Sequence, residues 1–146
     1  MRPGRPSASL DHQTWRPMPI RLYALVTWTT LRRLPLINAR VADFLRRFLP
    51  EVARRHGART VELAIVRNHV HMLLELGGKF DVPTLLQGLK GASARVANRD
   101  GYMPRARLQW AAGYDARSVG VRDLSRAAAY LRAQNARHPD LVVYPG

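Results

Sequence analysis

Strand, helix, strand, strand, helix, strand, helix is the order of elements written along this sequence. It predicts an α+β fold: a ferredoxin-like antiparallel sheet of the split βαβ type, with helices on one face and an added C-terminal helix. Three observations carry that prediction. Four short stretches are rich in β-branched and aromatic residues or alternate in polarity. Two amphipathic helical patterns separate them. Two of the strands are divided only by Arg67 and Asn68, the spacing of a tight hairpin.

Taken in order, "IRLYALVTWTT" (20–30) reads as the first strand, and "LRRLPLI" turns the chain. From Asn38, a good N-cap, the apolar positions Val41, Phe44, Leu45, Phe48 and Val52 recur at helical spacing, and Gly57 ends the helix. "TVELAIV" (60–66) and "HVHMLLEL" (69–76) are the hairpin strands. "GGKFD" breaks the pattern, and Asp81 with Pro83 opens a helix carrying Leu85, Leu86, Leu89, Ala92 and Val96. Gly88 and Gly91 weaken that helix while permitting close approach of another backbone. "GYDARSVGV" (113–121) is the fourth strand, and "RDLSRAAAYLRAQNARH" (122–138), with no internal Gly or Pro, is a single helix. The folded domain spans 19–138, between a flexible basic tail (1–18) and a short C-terminal tail (139–146).

The 146 residues suit one domain, and 47% apolar content is enough for a core. No run approaches the roughly 20 apolar residues of a membrane span, and the N-terminus has no apolar signal core, so a cytoplasmic protein is expected. The absence of cysteine excludes disulfides and thiolate metal sites, leaving His, Asp, Glu and Gln as ligands. A net charge of +14 points to a polyanionic partner, with nucleic acid the commonest. Almost all of that charge is Arg, which codon usage can explain; the shortage of acids it cannot.

"RNHVHMLLEL" (67–76) carries the chemistry. Alternate strand residues share a face, so His69, His71, Leu73 and Glu75 lie on one side and Val70, Met72, Leu74 and Leu76 on the other. The two imidazoles, about 7 Å apart at Cα, suit convergence on one cation. Two exposed sheet histidines are the alternative. On the last helix Arg126, Tyr130, Gln134 and Arg137 form one stripe. A tyrosine hydroxyl can attack a phosphodiester, a glutamine carbonyl can complete a site begun by two imidazoles, and arginines can hold flanking phosphates. The competing reading packs Tyr130 in the core and leaves Gln134 solvated. Glu62 is a minor ligand candidate, and Glu75 lies too far along the strand. Tyr114, Trp28 and Trp110 are assigned to packing, and His56 and His138 to capping helix ends. Lys90, Arg95 and Arg99 are candidates for a DNA groove, or for a solvated helix face.

Over residues 20–138 the sequence resembles the single-tyrosine HUH transposases of small bacterial insertion sequences, including the REP-associated tyrosine transposases. The resemblance rests on "NHVHMLLEL" and "YLRAQ", supported by "YALVTWTTLRRLPLI", "LLQGLKGASAR" and "LQWAAGYDARSVG". It implies a metal-dependent enzyme that cleaves and rejoins single-stranded DNA at hairpin-marked ends through a 5′-phosphotyrosine link. Tyr130 would be the nucleophile, and His69, His71 and Gln134 the ligands of Mg²⁺ or Mn²⁺. A homodimer beside the nucleoid, with active sites shared between chains, is implied as well. Two departures stand out: Arg32 and Arg33 follow the first strand where many members have a Lys and Arg pair, and Asn68 precedes His69. The rival reading is a domesticated module that binds hairpin DNA or RNA without strand transfer.

Overall fold

The structure, a computed structural model, describes residues 21–103, 105–138 and 141–143; the predicted tail at 1–18 lies outside the described residues. Its elements are β1 (Leu22–Thr29), α1 (Ala39–Arg55), β2 (Arg59–Val66), β3 (His69–Leu76), α2 (Val82–Arg99), β4 (Asp115–Val119), α3 (Leu124–Arg132) and α4 (Gln134–Arg137). The sheet runs β2-β3-β1-β4 with every pair antiparallel, the strand order of the split βαβ pattern. β1 and β3 are therefore the two central strands, and Thr29 stands opposite His69 while Thr27 stands opposite His71.

Local chemistry sets the helix starts. Asn38 Oδ1 accepts from the Val41 N–H at 2.9 Å, and Asp81 Oδ1 accepts from the Thr84 N–H at 3.1 Å. Gly57, at φ +80°, supplies the left-handed residue that ends α1. α1 and α2 cover one face of the sheet, where Val41, Leu45, Leu49, Leu86 and Leu89 meet Val26, Trp28, Val70, Met72 and Leu74. Each such side chain contributes roughly 1.5–3 kcal/mol on burial. α3 covers the opposite face, laying Ala128 and Leu131 on Ala64 and Leu73. None of the helices in the described residues is long and apolar enough to cross a membrane.

Two features depart from local expectation. The helix predicted as continuous over 122–138 is broken at Ala133, whose φ of −89° and ψ of 5° separate α3 from α4, and it is preceded by a 3₁₀ turn at Val121–Asp123. At the break the Tyr130 carbonyl accepts from the Ala133 N–H and from the Gln134 side-chain amide, both at 3.3 Å, where an unbroken helix would give it the Gln134 backbone N–H. Second, the Arg67–Asn68 turn lacks the positive φ angles favoured in two-residue hairpins. Its backbone is held from outside instead: Arg67 N–H donates to Leu141 O, Ile37 N–H to Arg67 O and Thr30 N–H to Asn68 O, at 2.8, 3.0 and 2.9 Å. Leu141, from the predicted tail, thus belongs to the fold, and Val143 packs against the core.

Candidate active site

β3 brings His69 and His71 to the face covered by α3 and α4. Both are buried, at 7% and 8% exposure, so the reading of exposed sheet histidines is excluded. Their rings meet edge to face with centroids 4.8 Å apart. Gln134, at 2% exposure, is aimed inward, and its Oε1 lies 3.0 Å from His71 Nε2. The break at Ala133 lets it turn there. Tyr130 completes the group from α3: its ring stands edge-on to His71 at 5.8 Å and is 37% exposed. Neither half of the competing reading holds, since Tyr130 is open to solvent and Gln134 is not.

Most polar atoms of this buried face have a named partner, His69 Nε2 being the exception. Thr27 Oγ1 lies 2.7 Å from His71 Nδ1, and Asn68 Oδ1 lies 2.7 Å from His69 Nδ1. Asn68 Nδ2 donates to the Arg33 carbonyl at 3.3 Å. Burial, then the neighbouring His71 and His138, pushes His69 down to about 4, against the opposing pull of the Gln134 oxygen. Burial also lowers His71. Both imidazoles are therefore neutral at pH 7 and keep a lone pair, as a metal ligand must. No cluster of three His, Cys, Asp or Glu side chains occurs among the described residues. The candidate donor set is two imidazoles and one amide oxygen, which fits a divalent cation of intermediate hardness.

The other sequence candidates divide by layer. Arg137 lies over the Tyr130 ring at 4.5 Å, and Arg33 is close enough to add to the positive field at His69. Arg32 and Arg33 form a left-handed turn, φ 53° and 56°, beside the histidines. Side-chain β-carbons disfavour that region by roughly 1–2 kcal/mol per residue, and Thr30 holds it by donating its hydroxyl to Leu34 O at 2.6 Å. Arg126 is exposed and paired with Asp123 at 3.3 Å. Lys90 and Arg95 sit on α2, in the layer across the sheet. The Lys90 ammonium donates to the carbonyls of Ala111 and Gly113 at 2.8 and 2.7 Å, while Arg95 lines a cavity of about 630 Å³ with Asn98, Arg99, Arg107 and Trp110. Glu62 pairs with Arg132 and Glu75 with Arg59, at 3.0 and 2.6 Å, so neither carboxylate joins the histidines.

The profile of the IS200-like transposases matches residues 20–134. The chain belongs to that family. Over 68 residues this transposase-family chain is 32% identical to the ISDra2 transposase TnpA of Deinococcus radiodurans, a match covering 47% of the chain and 49% of that relative. The matched stretch thus spans about half the length of the relative. A solved putative transposase from Deinococcus radiodurans superposes at a TM-score of 0.63 with 25% identity, over 92% of this chain and 98% of that one. A REP-associated tyrosine transposase, solved bound to a REP hairpin, superposes at 0.66 with 14% identity, over 85% and 73%. The antiparallel α+β fold expected of the family is the fold found.

Sequence reasoning missed three members of the site. Thr27 carries no signal of its own, because its role depends on strand pairing, and Asn68 stood out only as a departure from the family pattern, with no role attached. His138 is the C-cap it was assigned to be, its N–H donating to Gln134 O at 3.0 Å, and its ring also stands edge-on to His69 at 5.2 Å. Its spacing four positions after Gln134 was a usable clue. Trp28 behaves as expected, 1% exposed and edge-on to Trp110 at 5.8 Å. Tyr114 does not: it is 41% exposed, beside α2 and away from the histidine face.

Proposed function

We propose that this chain is a DNA strand transferase that cleaves and rejoins single-stranded DNA at hairpin-marked ends, with Tyr130 as nucleophile. The observation that carries the reading is the meeting of Tyr130, Gln134, His69 and His71 on one face of the sheet, in a member of a transposase family. The Tyr130 hydroxyl loses its proton to solvent and its oxygen bonds to phosphorus as the P–O3′ bond breaks. The leaving oxygen takes up a proton, giving a free 3′-hydroxyl and a 5′-phosphotyrosine. A second 3′-hydroxyl then attacks the same phosphorus, the P–Oη bond breaks, and Tyr130 is regenerated. One ester replaces another, so no external energy source is needed.

Tyr130 suits this role because it is anchored on one side by the histidine face and open on the other, where a strand can reach it. Arg137, across its ring, is placed to donate to an arriving phosphate. His69, His71 and Gln134 would hold a divalent cation, Mg²⁺ or Mn²⁺. Such an ion, when bound, polarises a phosphoryl oxygen as a Lewis acid. Two imidazoles in the set favour Mn²⁺, since Mg²⁺ prefers oxygen ligands. Arg32, Arg33, Arg126 and Arg95 are proposed as outlying phosphate contacts, and the net charge of +14 supports a polyanion partner. The hairpin bound to the REP-associated relative supports hairpin DNA as the substrate class. β4 is an edge strand exposed along most of its length, a surface suited to pairing with a second copy, and a homodimer with shared sites is part of the proposal.

The test is a panel of labelled single-stranded hairpins, incubated with wild-type protein or Tyr130→Phe and with Mn²⁺, Mg²⁺ or EDTA, then resolved on denaturing gels. A protein–DNA adduct that requires both the metal and Tyr130 is expected. Hairpin binding with no adduct under any condition would favour a binding module, and cleavage surviving in Tyr130→Phe would overturn the nucleophile.

A further inference from the structure

The two histidines are hydrogen-bonded in opposite senses. Asn68 Nδ2 faces the Arg33 carbonyl, which can only accept, so the amide orientation is determined and Oδ1 is the atom turned to His69 Nδ1. An amide oxygen only accepts. The Gln134 oxygen also draws on His69, but Asn68 Oδ1 at 2.7 Å is the direct acceptor, which places the His69 proton on Nδ1 and the lone pair on Nε2. Gln134 is oriented by the same logic: Nε2 faces the Tyr130 carbonyl, so Oε1 faces His71 Nε2. His71 must then carry its proton on Nε2, and its Nδ1 accepts from the Thr27 hydroxyl.

We propose that Asn68 is a positioning residue that locks His69 in the ligand-ready tautomer, while His71 rests in the opposite tautomer and is switched through Thr27. The inference rests on the reading of His69, His71 and Gln134 as cation ligands. A histidine side chain in water prefers its proton on Nε2, so the Asn68 contact reverses the intrinsic preference of His69. The lock is well built. Asn68 is 8% exposed, and its backbone carbonyl accepts from the Thr30 N–H at 2.9 Å. Its amide ties the histidine face to the left-handed Arg32–Arg33 turn.

His71 is different because its Nδ1 partner is a hydroxyl, which donates or accepts. For Nε2 to become a ligand, its proton must leave and Nδ1 must gain one. Thr27 then turns from donor to acceptor with no side chain displaced and no net change in protonation. Gln134 Oε1, released from that hydrogen bond, keeps its lone pairs for the same cation. Partners that orient ligating imidazoles in this way typically change metal affinity ~10–100-fold when removed.

The test is long-range proton–nitrogen NMR of metal-free protein labelled with ¹⁵N-histidine at neutral pH, the His69 signals being assigned by their loss in His69→Gln. Wild-type protein is expected to show the Nδ1–H pattern for His69 and the Nε2–H pattern for His71. Asn68→Ala is expected to move His69 toward Nε2–H and weaken Mn²⁺ binding, measured by titration calorimetry, ~10–100-fold. Asn68→Asp retains an acceptor and is expected to keep the Nδ1–H pattern, which serves as the informative variant if Asn68→Ala does not fold. An Nε2–H pattern for His69 in the wild type, or an unchanged pattern in Asn68→Ala, would overturn the lock. The stated tautomers in a wild-type protein that binds no Mn²⁺ would support the lock and overturn the cation reading.

Discussion

Val70 and His71 are neighbours in one central strand, equally deep in the protein, and they live in opposite chemistry. Val70, at 0% exposure, meets carbon from α1 and α2; His71, at 8%, meets Thr27, Gln134 and Tyr130 beneath α3 and α4. The apolar face gains stability from every carbon it buries. The histidine face gains little, and is tolerated because most of its polar atoms are paired. The stable face is a scaffold, and the opposite one holds a site whose bonds can be exchanged for those of a ligand.

The largest stability effect should come from the scaffold face. Met72→Ala, at a side chain with 0% exposure among Val26, Val70 and Leu74, is expected to cost about 2–5 kcal/mol in denaturant unfolding. A loss below 1 kcal/mol would mean that this core is loosely packed.

The pH dependence of stability probes the other face. His69 lies at about 4 in the folded protein against 6.5 ordinarily, so between those values the unfolded chain binds more protons than the native one. Stability of the metal-free protein is therefore full above about pH 6.5 and is lost as pH falls toward 4, with a slope approaching ~1.4 kcal/mol per pH unit for one such group. His71, also lowered, adds to the same trend. Thermal melts at successive pH values should show it, and His69→Gln should flatten it. An unflattened slope would place the titrating group elsewhere.

Gln134→Leu exchanges one buried side chain for another of similar size. It leaves a nitrogen of His71 without its partner and is expected to cost about 1–3 kcal/mol. If instead the protein gains stability, the polar face would be shown to be maintained at a structural penalty for the sake of function.

The smallest effect is expected at the rim, where Arg132 and Glu62 tie α3 to β2 across 3.0 Å. Arg132 is largely exposed, so Arg132→Ala should change stability by less than about 1 kcal/mol. A larger loss would mean that the helix over the histidines is held mainly by this pair rather than by Ala128 and Leu131.

Much of the fold was legible because its signals are local. β-branched and aromatic content or alternation placed the four strands, Asn38 and Asp81 marked helix starts as caps, and the histidine pair and the Tyr130–Gln134 pair stood out by local spacing. The break at Ala133 was not legible: an Ala-rich run with no Gly or Pro reads as unbroken helix, and the glutamine that follows it is bonded to a histidine on a distant strand. Lys90 read equally well as a groove cation, yet it is bonded to two loop carbonyls that periodicity does not place.

The sequence by itself determined which residues share a face, because side-chain direction follows from backbone period alone. It thereby determined that His69 and His71 stand together, and that Val70 and Met72 point away from them. Only the tertiary structure decided what those histidines are: buried rather than exposed, neutral, and faced at Nδ1 by different partners, an amide oxygen for His69 and a hydroxyl for His71. Their partners Thr27 and Gln134 lie 44 and 63 positions away from His71, brought close by strand pairing and by the docking of the last helix. Hydrogen bonds act over about 3 Å and carry no trace in local periodicity, so a proton's place on an imidazole is decided only when the chain has closed around it.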